Sequence, residues 1–468
     1  MCLTYLNMKK TSAQTKPSIT NTAFSIPTYV INLKKRTDRK KHLIEQFKGR
    51  DEFRLGIIEA FEHSFGALGL WATIRCILID LVPPDADYII ICEDDIEFTE
   101  HYSKEKLIKA IEEAQKHNAD VMLGGVSWID DSVQISEHLF WTNNFTGLQF
   151  TVVFRKFIDV AKQAKLVNYS AADFYIASLS NNVLLRHPFF TVQKDFGYSD
   201  ATAKNKGKKV STYFVHSDKN LLDLIRVKNL YKSLPKEDNK LDDVDYNTIT
   251  IPTYVINLSE RTERLAHIKT EFEGKSEFDV QIVEAFKHEV GALGLWMSIR
   301  KVIEIAIANE DDVIVICEDD HQFTKDYTKE FLIRNIIEAN EEGAYLLSGG
   351  TGKFNHAIPI TSNRYWVRHL LSTQFMVIYK DFFQYILDEP FDEKIVADLA
   401  YSRMTPHKML LYPFISTQKD FGYSDITTIH NEQKNLVTNM FVQSDNKLKR
   451  IQEAYIKYYP ETIITHQQ

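Results

Sequence analysis

An internal repeat with a constant offset of 225 residues is the feature that most limits how this chain can fold. Four motifs recur at that offset: PTYVINL, GALGLW, CEDD and QKDFGYSD. They lie at Pro27–Leu33 and Pro252–Leu258, Gly66–Trp71 and Gly291–Trp296, Cys92–Asp95 and Cys317–Asp320, and Gln193–Asp200 and Gln418–Asp425. A period of this length far exceeds the roughly 20–50 residues of solenoid repeats, so it predicts a duplicated globular domain.

The chain has 468 residues, more than one hydrophobic core usually organises. The repeat divides it into two modules of about 210 residues, a common domain size. We predict a flexible N-terminal tail at 1–25, a first domain at 26–235 and a second domain at 251–460. The short, charged segment 236–250 is the predicted linker, and 461–468 is a C-terminal tail.

Composition and charge exclude several classes of protein. The net charge of −8 argues against a nucleic-acid partner, which needs a basic surface. Four cysteines do not make a disulfide framework in a chain of this length. We find no run of about 18 apolar residues and no hydrophobic signal core at the N-terminus. These features predict a cytoplasmic location. Peripheral contact with the inner face of the membrane and the oligomeric state stay open.

The hydrophobic pattern predicts an α/β fold in each module. Tyr29–Leu33 and Tyr88–Cys92 are short and apolar throughout, as expected for buried strands. Helical spacing of apolar residues follows the first strand, and Leu68–Val82 reads as a second helix that stops at Pro83–Pro84. Apolar strands that alternate with helices favour a mostly parallel sheet flanked by helices on both faces. We therefore predict two tandem Rossmann-like domains.

Three consecutive carboxylates follow an apolar strand in both modules. They are Glu93, Asp94 and Asp95 in the first module and Glu318, Asp319 and Asp320 in the second. No basic residue adjoins them in sequence, so their repulsion invites a cation, and carboxylate oxygens suit Mg²⁺ or Mn²⁺. The alternative is a solvated acidic loop or the first turn of a helix. Because the run recurs at the carboxyl end of a strand, we predict a metal site.

Two arginines and an asparagine also recur after the first strand of each module. These residues are Asn32, Arg36 and Arg39, and then Asn257, Arg261 and Arg264. A strand that leads into a helix N-terminus suits an anion, and guanidinium groups add bidentate contacts. We predict that the arginines bind a diphosphate or nucleotide, with a solvated helix face as the alternative. The asparagines either orient the nucleotide or cap the strand end.

The remaining two motifs are ambiguous by themselves. The glycines of GALGLW permit a close backbone approach, either to a ligand or to a packed neighbour. Trp71 and Trp296 either stack on a base or sugar or belong to the core. QKDFGYSD has no helix or strand period, and loops vary unless they carry function. We therefore predict that this loop lies at the rim of the active site.

Taken in order, the motifs YVINLKKRTDR, GALGLW with IR, the strand ending in EDD, and the late glutamine loop resemble glycosyltransferase family 25. The resemblance covers nearly all of both modules. It implies a GT-A-like fold, a UDP-sugar donor, inversion at the anomeric carbon and a divalent metal on the donor diphosphate. The middle motif departs from the family pattern, because Arg75 and Arg300 stand where a histidine is usual. The chemistry of that histidine is therefore not transferred.

The resemblance also assigns expected roles to residues late in each module. Gln193 and Gln418 match the family's late glutamine and are expected to contact donor or acceptor hydroxyls. Asp200 and Asp425, in the same loop, are expected to lie near the metal or the substrates. Asp173 and Asp398 resemble the aspartate that precedes this loop in the family, and we predict that they are the general bases. A helix cap is the alternative for these two.

The predicted function is that of a tandem hexosyltransferase. It transfers galactose or another hexose from a nucleotide sugar to a glycan or glycolipid acceptor, with lipopolysaccharide or other surface-polysaccharide synthesis in bacteria as the expected setting. One alternative is a non-catalytic carbohydrate- or nucleotide-binding protein. Another is a metal-dependent nucleotidyl- or phosphoryl-transfer enzyme that uses the same carboxylates.

Overall fold

The computed structural model describes residues 25–164, 171–197, 209–233, 244–390, 397–422 and 435–459. Contacts divide the chain into two compact units, Met1–Ile225 and Arg226–Gln468. Both predicted tails and the linker up to residue 243 lie almost wholly outside the described residues. The domain bounds therefore stay predictions.

Unit one contains short strands and mostly amphipathic helices in alternation. Its strands are β1 Ile26–Asn32, β2 Phe53–Glu59, β3 Tyr88–Glu93, β4 Ile96–Phe98, β5 Val121–Leu123, β6 Trp128–Ile129, β7 Ser132–Gln134, β8 Leu139–Thr142, β9 Phe145–Thr146, β10 Phe150–Phe154, β11 Val183–Arg186 and β12 Thr191–Gln193. Its helices are α1 Thr37–Phe47, α2 Gly66–Cys76, α3 Lys104–Lys116, α4 Arg155–Gln163, α5 Ala172–Leu179 and α6 Val210–Ser233, whose residues from Arg226 onward are assigned to unit two.

Unit two repeats this order after a short 3-10 turn at Tyr246–Thr248, with ten strands in place of twelve among the described residues. Its strands are β13 Ile251–Asn257, β14 Phe278–Glu284, β15 Val313–Glu318, β16 His321–Phe323, β17 Leu346–Ser348, β18 Lys353–Pro359, β19 Arg364–Leu371, β20 Phe375–Tyr379, β21 Lys408–Leu411 and β22 Ser416–Gln418. Its helices are α7 Thr262–Phe272, α8 Gly291–Ala308, α9 Lys329–Glu341, α10 Lys380–Asp388, α11 Ala397–Met404 and α12 Leu436–Tyr458.

Among the described residues, each unit has an eight-stranded sheet. The strand order is β2-β1-β3-β10-β5-β11-β8-β7 in unit one and β14-β13-β15-β20-β17-β21-β19-β18 in unit two. β10 and β8 run opposite to the other six strands of their sheet, and β20 and β19 do so in unit two. The predicted α/β class with a mostly parallel sheet and flanking helices is confirmed.

Local sequence explains the elements that support the site. The α3 helix begins because the Ser103 hydroxyl accepts a hydrogen bond from the Lys106 backbone N–H at 3.2 Å, an N-cap interaction. Its apolar face, at 107, 110, 111 and 114, follows helical spacing and is buried. The β3 segment Ile89–Cys92 is fully buried, as its unbroken apolar run predicts. Buried helix faces on a buried sheet hold the strand ends in fixed positions.

The second helix differs from its prediction in unit one. The segment predicted as a single helix, Leu68–Val82, is an α-helix only to Cys76 and continues as a π-helical turn at Ile77–Leu81. In unit two, α8 runs without interruption from Gly291 to Ala308. No helix in the described ranges is long and apolar enough to cross a membrane.

Candidate active site

The site is built where two neighbouring parallel strands end. β1 pairs with β3 so that Ile31 lies opposite Glu93. This register places Asn32, the last residue of β1, beside Asp94, and the Asn32 amide Nδ2 donates to Asp94 Oδ2 at 2.7 Å. In unit two, Asn257 Nδ2 donates to Asp319 Oδ2 at 2.9 Å. Ligand sites of α/β sheets lie at this edge.

In each unit a buried arginine forms ion pairs with two carboxylates of the acidic run. Nη1 of Arg39, on the first turn of α1, lies 2.8 Å from Asp94 Oδ1 and 3.0 Å from Asp95 Oδ2. In unit two, Arg264 Nη1 lies 2.9 Å from Asp319 Oδ1 and 3.1 Å from Asp320 Oδ2. The carboxylates therefore have a basic neighbour in the folded structure, although none adjoins them along the chain. Arg39 and Arg264 face the carboxylates, and the diphosphate contact predicted for them stays a prediction.

Arg36 and Arg261, the first arginines of the two pairs, directly precede α1 and α7. The backbone carbonyl of Arg36 accepts a hydrogen bond from Asn32 Nδ2 at 3.2 Å. Arg261 Nη1 lies 3.7 Å from Asp319 Oδ2. The structure thus brings asparagine, arginines and aspartates of each unit into one cluster, which the sequence had predicted only as separate contacts.

Each cluster offers a divalent cation one carboxylate oxygen that lacks a close hydrogen-bond partner. Both oxygens of Asp94 accept hydrogen bonds, whereas Asp95 Oδ1 is buried and has no hydrogen-bond partner. In unit two, Asp320 Oδ1 has only a long contact of 3.5 Å with Gln418 Nε2. Among the described residues, no group of three or more His, Cys, Asp and Glu side chains could hold a metal ion. The donor set matches a cation that takes one carboxylate from the protein and its other ligands from water and phosphate.

The first residue of each run is half-buried at the end of its strand. Burial raises the pKa of Glu93 well above its ordinary value, and the charges of Asp95, Asp94 and Asp173 raise it further. The two units differ here. Thr373 Oγ1 donates to Glu318 Oε1 at 2.6 Å, whereas unit one has Leu148 at the position that the 225-residue offset pairs with Thr373. Glu93 instead borders an apolar cavity lined by Leu148 and Ile176, among others.

The burial of Glu318 predicts a pH-dependent stability. Burial, followed by the charge of Asp320, raises its pKa from 4.5 to about 8. Between these values the folded state binds more protons than the unfolded state, so the free energy of unfolding falls as pH rises. Relative to E318Q, the wild type is expected to lose up to about 1.4 kcal/mol per pH unit in this window. Urea unfolding from pH 5 to pH 8 measures this, with E330Q, on an exposed helix face, as control. Parallel pH profiles for wild type and E318Q would contradict the prediction.

In unit one, the predicted general base lies close to Glu93. Asp173 is in the first turn of α5, and its charge acts on Glu93. Its Oδ2 accepts from the Gly147 backbone N–H at 3.2 Å and its Oδ1 from the Phe174 N–H at 3.0 Å. Burial raises its pKa, although these hydrogen bonds oppose the shift. Asp173 therefore occupies a helix N-terminal turn and also borders the acidic run.

Asp398 has the same hydrogen-bond arrangement in unit two. The Leu399 N–H donates to its Oδ1 at 2.8 Å, and the Ser372 N–H is a further donor. Burial again raises the pKa of the carboxyl. Ser372 has a φ of 129°, and Gly147, at the same place in unit one, has a φ of 114°. A non-glycine residue with such a φ is strained, and such strain clusters at functional sites.

The late loop lies beside the acidic run, and its place at the rim of an active site stays a prediction. β12 pairs with β4 so that Gln193 lies opposite Ile96, and the Lys194 N–H donates to the Asp95 carbonyl at 2.8 Å. Phe196 then lies against Arg39, with 4.9 Å between the guanidinium carbon and the ring centroid. In unit two, Gln418, Lys419 and Phe421 repeat these contacts. Asp200 and Asp425 lie outside the described residues.

One aspartate of this loop has a structural role in unit one. Asp195 Oδ1 accepts from the Val210 N–H at 2.6 Å, and its Oδ2 accepts from the Ser211 hydroxyl at 2.5 Å. It therefore caps the N-terminus of α6.

The GALGLW motif serves packing. A Cβ on Gly69 would lie 2.4 Å from the Phe61 carbonyl oxygen, and the same distance separates a Cβ on Gly294 from the Phe286 oxygen. Glycine is therefore required where α2 meets the preceding segment. Trp71 and Trp296 are buried in the core, so the core interpretation of these tryptophans is the correct one.

Sequence reasoning missed two residues in each unit. His42 Nε2 lies 2.8 Å from the Ile96 carbonyl oxygen, and Lys194 Nζ lies 3.4 Å from His42 Nδ1. His267 and Lys419 repeat both contacts, at 2.9 and 3.4 Å. The signal was present, because both residue types recur at the offset of 225.

Comparison with known proteins gives little further support. No protein-family model and no curated protein matches the chain. Solved structures that match part of the chain include A197 from STIV, at 11% identity and a TM-score of 0.28 over 38% of this chain and 87% of that one. Apo UDP-glucose pyrophosphorylase has 8% identity and a TM-score of 0.26 over 41% of this chain and 82% of that one.

A third structure is a glycosyltransferase involved in the glycosylation of the major capsid of PBCV-1. It has 12% identity and a TM-score of 0.24 over 34% of this chain and 81% of that one. Scores this low carry no argument about this chain, so its function is inferred from the site itself. Membership of glycosyltransferase family 25 stays a prediction from the motifs.

Proposed function

We propose that each unit is a glycosyltransferase that moves a hexose from a nucleoside diphosphate sugar to a hydroxyl of a glycan or glycolipid, with inversion. One observation carries the proposal. At the carboxyl ends of β1 and β3, and again of β13 and β15, the same asparagine, arginine, aspartates and loop lysine form one cluster. The resemblance of the motifs to glycosyltransferase family 25 supports a UDP-sugar, with galactose as the first candidate.

The charges of the cluster suit a diphosphate. Arg39 neutralises Asp94 and shares Asp95, so the cluster repels an anion less than three free carboxylates would. Asp95 in unit one and Asp320 in unit two would hold a Mg²⁺ or Mn²⁺ ion together with the donor phosphates. When bound, the ion supplies positive charge that stabilises the leaving diphosphate.

Asp173 and Asp398 are the proposed bases. In an inverting transfer the acceptor hydroxyl forms a bond to the anomeric carbon while the bond from that carbon to the diphosphate oxygen breaks. The hydroxyl proton passes to the carboxylate of the base, and the nucleoside diphosphate departs. Burial raises the pKa of both aspartates, which makes them stronger bases, and the N–H groups of Gly147 and Ser372 orient them.

A panel of nucleotide sugars tests the proposal. Wild type is incubated with UDP-, GDP- and CMP-sugars, with Mn²⁺ or with EDTA, and nucleotide release is measured. Hydrolysis of one donor is expected, and D95N/D320N is expected to lose it. E105Q/E330Q, which changes exposed helix-turn glutamates also 225 residues apart, is the control. Thermal stabilisation without hydrolysis would indicate a binding protein, and pyrophosphate release from UTP and a sugar phosphate would indicate a nucleotidyltransferase.

A further inference from the structure

We propose that Lys194 and Lys419 bind the leaving diphosphate through their ammonium groups, and that His42 and His267 hold those groups in position. This inference rests on the proposed function and assigns a further part of the same site. The residues lie on α1 and the late loop in unit one, and on α7 and the late loop in unit two. They meet beside the acidic run in both units.

The protonation of the histidine follows from its neighbours. His42 Nε2 lies 2.8 Å from the carbonyl oxygen of Ile96, which can only accept a hydrogen bond. Nε2 therefore carries the proton, and in a neutral ring Nδ1 offers a lone pair. Lys194 Nζ lies 3.4 Å from that lone pair, so the ammonium donates to the ring. A protonated ring would instead present an N–H to the ammonium and repel it.

The lysine is exposed, yet no carboxylate holds it. Within the part of the chain that the structure describes, neither Lys194 nor Lys419 has a carboxylate within ion-pair distance. Aromatic faces support them instead, at 5.6 Å from Phe196 and 4.9 Å from Phe421. A cation that is positioned by neutral groups keeps its charge available for an anion.

The internal repeat separates these lysines from the surface lysines that follow the first strand. Lys34, Lys35, Lys40 and Lys41 follow the first strand in unit one, and unit two has Ser259, Glu260, Leu265 and Ala266 at the matching positions. Lys194 and Lys419 are retained together with their histidine and aromatic neighbours. Retention of the whole contact set favours a ligand role over a solvated surface charge.

Their position fits the second phosphate of a diphosphate. The backbone N–H of Lys194 donates to the carbonyl of Asp95, the residue whose Oδ1 has no partner. Ile96, whose carbonyl orients His42, is the next residue along the chain. The candidate cation ligand and the ammonium therefore belong to two residues whose backbones are hydrogen-bonded just beyond the β4–β12 pair, which suits binding of two neighbouring phosphates.

The experiment compares ligands that differ in phosphate content. Dissociation constants for UDP, uridine and pyrophosphate are measured by calorimetry with wild type, K194M/K419M and K104M/K329M. The last variant changes another lysine pair that recurs at the same offset, at the start of α3 and α9. We expect K194M/K419M to weaken UDP and pyrophosphate about 10- to 100-fold and to leave uridine unchanged, as for loss of a charge-assisted hydrogen bond. K194R/K419R should recover part of the affinity.

A double-mutant cycle tests the positioning role. H42A/H267A is expected to weaken UDP binding in wild type and to have no further effect in K194M/K419M, because the histidines act through the lysines. Additive losses would contradict this role. Equal UDP affinity of wild type and K194M/K419M would overturn the lysine assignment.

The outcomes also separate this inference from the proposed function. If the protein binds pyrophosphate through these lysines but binds none of UDP, GDP and CDP, the anion site is supported and the glycosyltransferase function is rejected. Failure of wild type to bind any of these ligands would reject both.

Discussion

The double variant R39M/R264M is expected to have a free energy of unfolding lower by about 3–5 kcal/mol in each unit. Each arginine bridges two largely buried aspartates at 2.8–3.1 Å, and its removal leaves buried carboxylates without a counter-charge. Methionine keeps most of the side-chain volume, so the loss reports charge rather than a cavity. Urea unfolding at pH 7 measures it.

Two comparisons make this result specific. R54M/R450M removes an exposed arginine from each unit and is expected to change stability by less than about 0.5 kcal/mol. Adding D94N/D319N to R39M/R264M removes one of the two unpaired carboxylate charges in each unit and should restore part of the lost stability. If R39M/R264M were no less stable than R54M/R450M, the ion pairs would not hold the cluster together.

Replacing Asp398 with asparagine, in a chain whose first unit carries D173N, is expected to reduce donor hydrolysis about 10²- to 10⁴-fold. Asparagine has nearly the same shape, and its amide oxygen can still accept the hydrogen bond from the Leu399 N–H, so most of the geometry is retained while the base is lost. The rate of nucleotide release is measured with the donor that wild type hydrolyses fastest.

The control for this prediction is D381N, which changes an exposed aspartate on α10 of the same unit. UDP affinity should be the same in D398N and D381N, because the base does not contact the nucleotide in the proposed mechanism. Turnover by D173N/D398N at the rate of D173N alone would reject Asp398 as the base.

Sequence patterns predicted the strands and helices that are determined by residues close together in the chain. The apolar run of β3 and the helical spacing of α3 each fix an element without reference to distant residues. The reversed direction of β10 was not predictable, because an apolar run at 150–154 is the same whichever way the strand points. The π-helical turn after α2 likewise has no signal in the pattern.

The candidate site was predicted as a set of residues but not as a set of contacts. Arg39 and Asp95 were assigned to different ligands, whereas the structure pairs them. Such pairing depends on the β1–β3 register and on where α1 packs, and neither follows from spacing along the chain. His42 was overlooked because a single histidine on a charged helix has no distinctive pattern, although its recurrence as His267 was readable.

The turn that donates to the proposed base exists in two chemical versions. Gly147 adopts its φ of 114° at no steric cost, whereas Ser372 holds a φ of 129° against the preference of its side chain. The two copies therefore differ in the residue at this position but have a similar backbone φ there. In both versions the backbone N–H of the turn residue donates to the carboxylate of the proposed base, so the costly φ of Ser372 accompanies the same contact that Gly147 makes freely.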